Sequence, residues 1–236
     1  MNFVNYYIYL KIKLMDSTNV KKCSATNGKN VKSKITQGVS FFLTLFLFFG
    51  CVKDELANVK ADAFDGKITA KVENGATYNS QISTVWALYN AEISSSGGLT
   101  GQILVNCAYS DGGFTINLSP IPASFLKDVQ TFFTTVLHVS GDLEYSNPDA
   151  RLLNVDFFGI SSNNLYVDYF TYTKTGSKRT TCVFVYADSE VTVKGGTNIK
   201  VILKQGWNRI YWSSSDNKVT SSAPSGIKWY LSKDAQ

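Results

Sequence analysis

The chain has 236 residues, 14% of them aromatic, with 23 Lys and Arg against 18 Asp and Glu for a formal net charge of +5. One histidine argues against a His-rich zinc site and against a serine–histidine triad of the usual kind. Seven of the 23 basic side chains and one of the 18 acidic ones fall within residues 1–50. The remainder holds 16 and 17, a net of −1, so the body of the chain carries no electrostatic footprint for nucleic acid.

The first predicted element is the apolar run Val39–Phe49, interrupted only by Ser40 and Thr44. As a helix it would cover roughly 16 Å, about half of a bilayer core. It reads as the h-region of a signal peptide, with Lys29, Lys32 and Lys34 as the basic n-region. A buried core helix, the alternative, would show polar residues at helical spacing, and the run has almost none.

The run ends at Phe48-Phe49-Gly50-Cys51, which resembles the lipobox of bacterial lipoproteins. Phe48 departs from the aliphatic residue that family prefers. The resemblance implies a diacylglycerol on the Cys51 thiol and cleavage before that residue, so that the chain is tethered to a membrane through lipid. The following Lys53-Asp54-Glu55 resembles the export signal of Bacteroidota-type surface lipoproteins, which implies an outer-membrane address facing the cell exterior. A solvated linker would be charged too. Fifty residues before the cysteine exceed an ordinary leader. Residues 1–50 are therefore read as a signal peptide with an over-extended start, 51–64 as a lipidated tether, and 65–233 as the folded domain.

From residue 66 the period is two. In KITAKVE, Ile68, Ala70 and Val72 alternate with Lys67, Thr69, Lys71 and Glu73, and in NIKVILKQ, Ile199, Val201 and Leu203 oppose Lys200 and Lys204. ISTVWALYN, GQILVNCAY, FTINL, RLLNVDFFGI, NLYVDYFTYT, TTCVFVYA, EVTVKG, NRIYW and IKWYL add β-branched and aromatic segments. Glycine turns separate them at Asn74-Gly75, Gly97-Gly98, Asp111-Gly112-Gly113, Lys174 to Gly176 and Gly195-Gly196. The pattern predicts an all-β fold, an antiparallel β-sandwich. Two small β-domains divided within 140–150 are the alternative.

One segment breaks the period. Phe125, Leu126, Val129, Phe132, Phe133, Val136 and Leu137 share one helical face, with Pro122 before and Gly141 after, which predicts one short helix covering the sandwich at 123–138.

ITAKVENG, VWALYN and CAYSDGGFTINLSP, in that order, resemble the opening strands and hairpin of transthyretin-like and carboxypeptidase-regulatory-like domains, over about 55 residues. The resemblance implies an immunoglobulin/transthyretin-like sandwich. VILKQGWNRIYW resembles a segment of small Bacteroidota surface lipoproteins. Neither brings a catalytic residue.

Candidate chemistry is sparse. His138 is placed at the end of the expected helix, where the helix dipole favours an imidazolium. Asp156, Asp168 and Asp188 stand in or beside strands as solvated or turn acids, although a converging carboxylate pair would suit glycoside hydrolysis. Cys107 and Cys182 read as free buried thiols, with a bridge permitted in an oxidising compartment. Trp207, Tyr211, Trp212, Trp229 and Tyr230 read first as core; exposed together they would form a stacking platform for sugar rings or a protein partner. Strand alternation places Ile210 and Trp212 opposite Tyr211, so one sheet surface does not bury all of them. The sequence thus leads to a lipid-anchored, non-enzymatic binding or adhesion module with no metal or cofactor, and to a glycan-binding protein or glycoside hydrolase as the alternative.

Overall fold

Alternating sequence becomes strand nearly throughout the computed structural model, which describes residues 58–95, 97–139, 141–176, 178–213 and 215–235. The expected signal peptide, Cys51 and Lys53-Asp54-Glu55 lie outside the described residues. The first strands are β1 (Ala63–Phe64), β2 (Lys67–Lys71), β3 (Thr84–Ile93), β4 (Leu99–Ser110) and β5 (Gly113–Asn117). After β6 (Lys127–Asp128) come the helix α1 (Val129–Thr135), β7 (Glu144–Tyr145), β8 (Arg151–Ile160) and β9 (Tyr166–Lys174). The remainder is β10 (Thr180–Ala187), β11 (Val191–Gly195), β12 (Ile199–Leu203), β13 (Gly206–Ser213), β14 (Lys218–Thr220) and β15 (Lys228–Leu231).

The fold is all-β and sandwich-like, with one short helix. Its strands run in the order β2-β5-β4-β3-β8-β9-β10-β13-β14-β12-β11-β7, so strands from before and after residues 140–150 share this sheet, with β3 paired to β8. Neighbours are antiparallel except the parallel pair β12 and β14. The sheet forks at β8. Leu152–Val155 of β8 face β10, whereas Phe157–Ile160 face β9. β9 pairs with β10 at Thr173 and Lys174 and takes β15 as a further partner, and a parallel bridge from Val72 to Trp229 ties β15 to the end of β2.

Two cores share one wall. In the first, Ile68 and Ala70 of β2 and Phe114 and Ile116 of β5 pack on Phe157, Phe184 and Tyr211 of the main sheet, with Trp229 between the layers. In the second, Val129, Phe132 and Phe133 of α1 cover Val185, Val201 and Ile210. β10 and β13 serve both because period two sends Phe184 and Tyr211 to one side and Val185 and Ile210 to the other.

The expected helix at 123–138 is cut to seven residues. Pro122 opens a 3-10 turn, Ala123–Phe125, and Leu126 is extended. Asp128 then caps α1, its carboxylate accepting the Thr131 N–H at 2.8 Å. The seven-residue apolar pattern mixes two surfaces, since Phe125 and Leu126 pack on the first core and Val129, Phe132 and Phe133 on the second. The chain leaves α1 through His138, at φ +51°, with the Val139 N–H returning to the Phe133 carbonyl at 3.0 Å. His138 is exposed and lies three residues past the helix.

Residues 58–64, expected as tether, are built into the fold. β1 pairs with Asn208 and Trp207 of β13, the Arg209 N–H reaches the Asp62 carbonyl at 2.9 Å, and the Ser221 hydroxyl donates to the Lys60 carbonyl at 2.7 Å. This segment runs along β13 and reaches Val59 at the end of the sheet formed by the β9–β10 loop.

Candidate functional site

At that end lies a cleft of about 540 Å³. The β9–β10 hairpin gives it Lys174 and Lys178, the stretch around β14 gives Asp216 and Lys218, and Val59 and Pro224 form apolar walls. Hydroxyls fill the spaces between: Thr180 on β10, Tyr211 and Ser213 on β13, Thr220 on β14. Lys174 and Lys178 are exposed and Lys218 is half-buried. Among the described residues the lining thus combines three lysines with one carboxylate.

Tyr211 closes the floor at 2% exposure. Its hydroxyl donates to the Asp62 carboxylate at 2.5 Å, which also accepts Arg209 Nη1 at 3.1 Å. The Arg209 guanidinium lies 4.3 Å from the centre of the Phe64 ring. Burial, reinforced by the neighbouring Cys182 and Asp62, holds the Tyr211 phenol far above its ordinary value. It is therefore a neutral hydrogen-bond donor, not a base. Burial likewise raises the Cys182 thiol well above its usual value and pushes Cys107 up to about 11. Both thiols are free, Cys182 buried and Cys107 half-buried, and both stay protonated near neutral pH, so neither is an activated nucleophile.

The aromatic platform does not assemble. Trp207, Tyr211 and Trp229 are buried in the first core. Trp229 stacks on Phe184 at 5.5 Å and on Tyr172 at 5.1 Å. Trp212 is half-buried on the opposite face with Ile210, and Tyr230 is half-buried on β15, so alternation splits the set. The indole N–H groups of Trp207 and Trp212 are buried with no protein acceptor among the described residues.

The acids also separate. Asp168 accepts the Ser232 hydroxyl at 2.5 Å, the Tyr169 N–H at 2.8 Å and the Lys233 N–H at 3.3 Å, which moors the last turn of the chain. Asp188 accepts the Arg151 N–H at 2.9 Å and its Nε at 3.1 Å. Asp168 faces Gly159 across β8 and β9, so it shares the face of Phe157, whereas Asp156 projects from the other face. The two do not make a catalytic pair. Among the described residues, no three of His, Cys, Asp and Glu are grouped to hold a metal ion.

Sequence reasoning passed over Lys174, Lys178, Lys218, Asp62 and Arg209. The signal for the first three was present in KTGSKR and SSSDNKVTSS, two polar turns whose lysines come together only when β9, β10, β13 and β14 are in place. No family model matches the chain, and neither a curated protein nor a solved structure does.

Proposed function

We propose that this chain is a lipid-anchored, outward-facing module of an outer membrane that acts by non-covalent recognition at the basic cleft. The cleft supports the reading most directly: ammonium and hydroxyl groups recognise a polar ligand, and the buried Tyr211 phenol and the Cys182 thiol paired beside it stay protonated. The sequence supports the anchor through the apolar run, Gly50-Cys51 and Lys53-Asp54-Glu55. Two or more acyl chains suffice for stable membrane attachment. Recognition of a glycan or a cell-surface protein fits this role.

The glycosidase reading has less support, because Asp168 and Asp188 are saturated by structural hydrogen bonds and Asp156 lies on the other face from Asp168. Replacing Cys51 by Ala tests the anchor. The expected result is loss of acyl labelling and release from the membrane fraction; retention with unchanged labelling contradicts it. Replacing Lys53-Asp54-Glu55 by alanines is expected to remove protease accessibility on intact cells.

A further inference from the structure

We infer that the cleft binds a phosphate-bearing group. The inference names the ligand chemistry of the proposed recognition site and rests on that reading for its biological setting. Lys174 and Lys178 from the β9–β10 hairpin and Lys218 from β14 line the cleft together, with Asp216 as the carboxylate among the described lining residues. Among the described residues the lining holds no arginine, so it offers ammonium charge without a guanidinium fork. That distinction selects the anion. A carboxylate offers two coplanar oxygens that a guanidinium matches in pairs, whereas a phosphate spreads its oxygens tetrahedrally and takes point-charge donors from several directions. Thr180, Ser213, Thr220 and Ser222 add hydroxyls to the same walls. At about 540 Å³ the cleft exceeds a phosphate alone, so a sugar or glycerol attached to it also fits, against Val59 and Pro224.

Two sources share this chemistry: a phospholipid or phosphorylated glycolipid headgroup, and a free phosphosugar. Val59 lies on the cleft wall eight residues after Cys51, a chain length spanning at most roughly 28 Å. An anchor at Cys51 therefore keeps the cleft close to the headgroups of its own membrane.

The test uses the processed full-length protein in vesicles, with the acylation rate of individual lysines read by mass spectrometry. The vesicles are phosphatidylcholine alone or an equal mixture with phosphatidylglycerol, and glucose 6-phosphate is added to the neutral set in a separate arm. Lys174, Lys178 and Lys218 are expected to be protected several-fold, relative to exposed Lys67 on β2, by the anionic vesicles or by the phosphosugar. Protection by the vesicles alone assigns the headgroup, and protection by glucose 6-phosphate in neutral vesicles assigns the soluble ligand. No protection in either arm overturns the inference. So does protection of Lys218 that persists in a Lys174→Glu, Lys178→Glu variant whose melting temperature is unchanged. A chain that fails to stay with vesicles contradicts the anchor, while the phosphosugar arm still decides the cleft.

Discussion

Tyr211 reaches across the floor of the cleft to a carboxylate 149 residues earlier in the chain. Its hydroxyl is one of the groups that satisfy Asp62, and a hydrogen bond to a charged partner contributes about 1.5–3 kcal/mol. Tyr211→Phe leaves Asp62 with Arg209 and is expected to lower the unfolding free energy by that amount, read as a lower urea midpoint at unchanged slope; an unaltered midpoint contradicts the network. Asp156 behaves differently. Desolvation pushes its carboxyl up to about 6, an effect tempered because the residue is exposed and its carboxylate accepts Asn154 Nδ2 at 3.1 Å. A raised carboxyl means that the native state keeps its proton where the unfolded chain, near 3.8, has lost it. Stability contributed here therefore falls as pH rises from about 4 to about 6 and stays low above that. Asp156→Asn is expected to be more stable than the parent at neutral pH and equal to it below pH 4, measured as the difference in urea midpoint; a constant difference across pH removes the titration from the account.

At the scale of elements, the strands and the presence of one short helix were legible, and the extent of that helix was not. RLLNVDFFGI and TTCVFVYA coincide with β8 and β10 because β-branched and aromatic residues over eight to ten positions leave little choice of backbone. Asp111-Gly112-Gly113-Phe114 was equally clear. Asp111 and Gly112 adopt φ +52° and +73° to turn the hairpin, and a Cβ at Gly113 would lie 2.2 Å from the Ala70 carbonyl oxygen. The helix is shorter than expected because periodicity reports which residues are buried and not in which core. Phe125 to Leu137 fit one helical face on paper, yet they serve two cores on either side of a capped break at Asp128. β1, β6, β7 and β14 escaped because strands of two or three residues are too short to show alternation. The seven residues of α1 are too few to stand as an isolated helix, so its packing must hold it. Phe133→Ala, at a side chain with no solvent exposure, is expected to cost about 3–5 kcal/mol in urea unfolding. A loss under 1 kcal/mol would mean that α1 is not part of the second core.

Across the whole molecule the N-terminal segment sets the direction. It enters at Val59 beside the cleft, follows β13 past Asp62 and Arg209, and pairs at Phe64 with Trp207 near the other end of the sheet. β10 connects those two ends over eight residues, roughly 24 Å. The cleft itself was illegible in the sequence, since Lys174 and Lys218 are 44 positions apart and meet only through the pairing of β10 with β13 and of β13 with β14. The proposed anchor at Cys51 combines with this path to give the central claim: the lipid end and the cleft end are the same end. A fluorophore placed at position 178, in the β9–β10 loop, or at position 205, just before β13, measures this in the membrane-attached protein by quenching from headgroup-labelled lipid. The account predicts strong quenching at 178 and little at 205; equal quenching, or the reverse order, contradicts it.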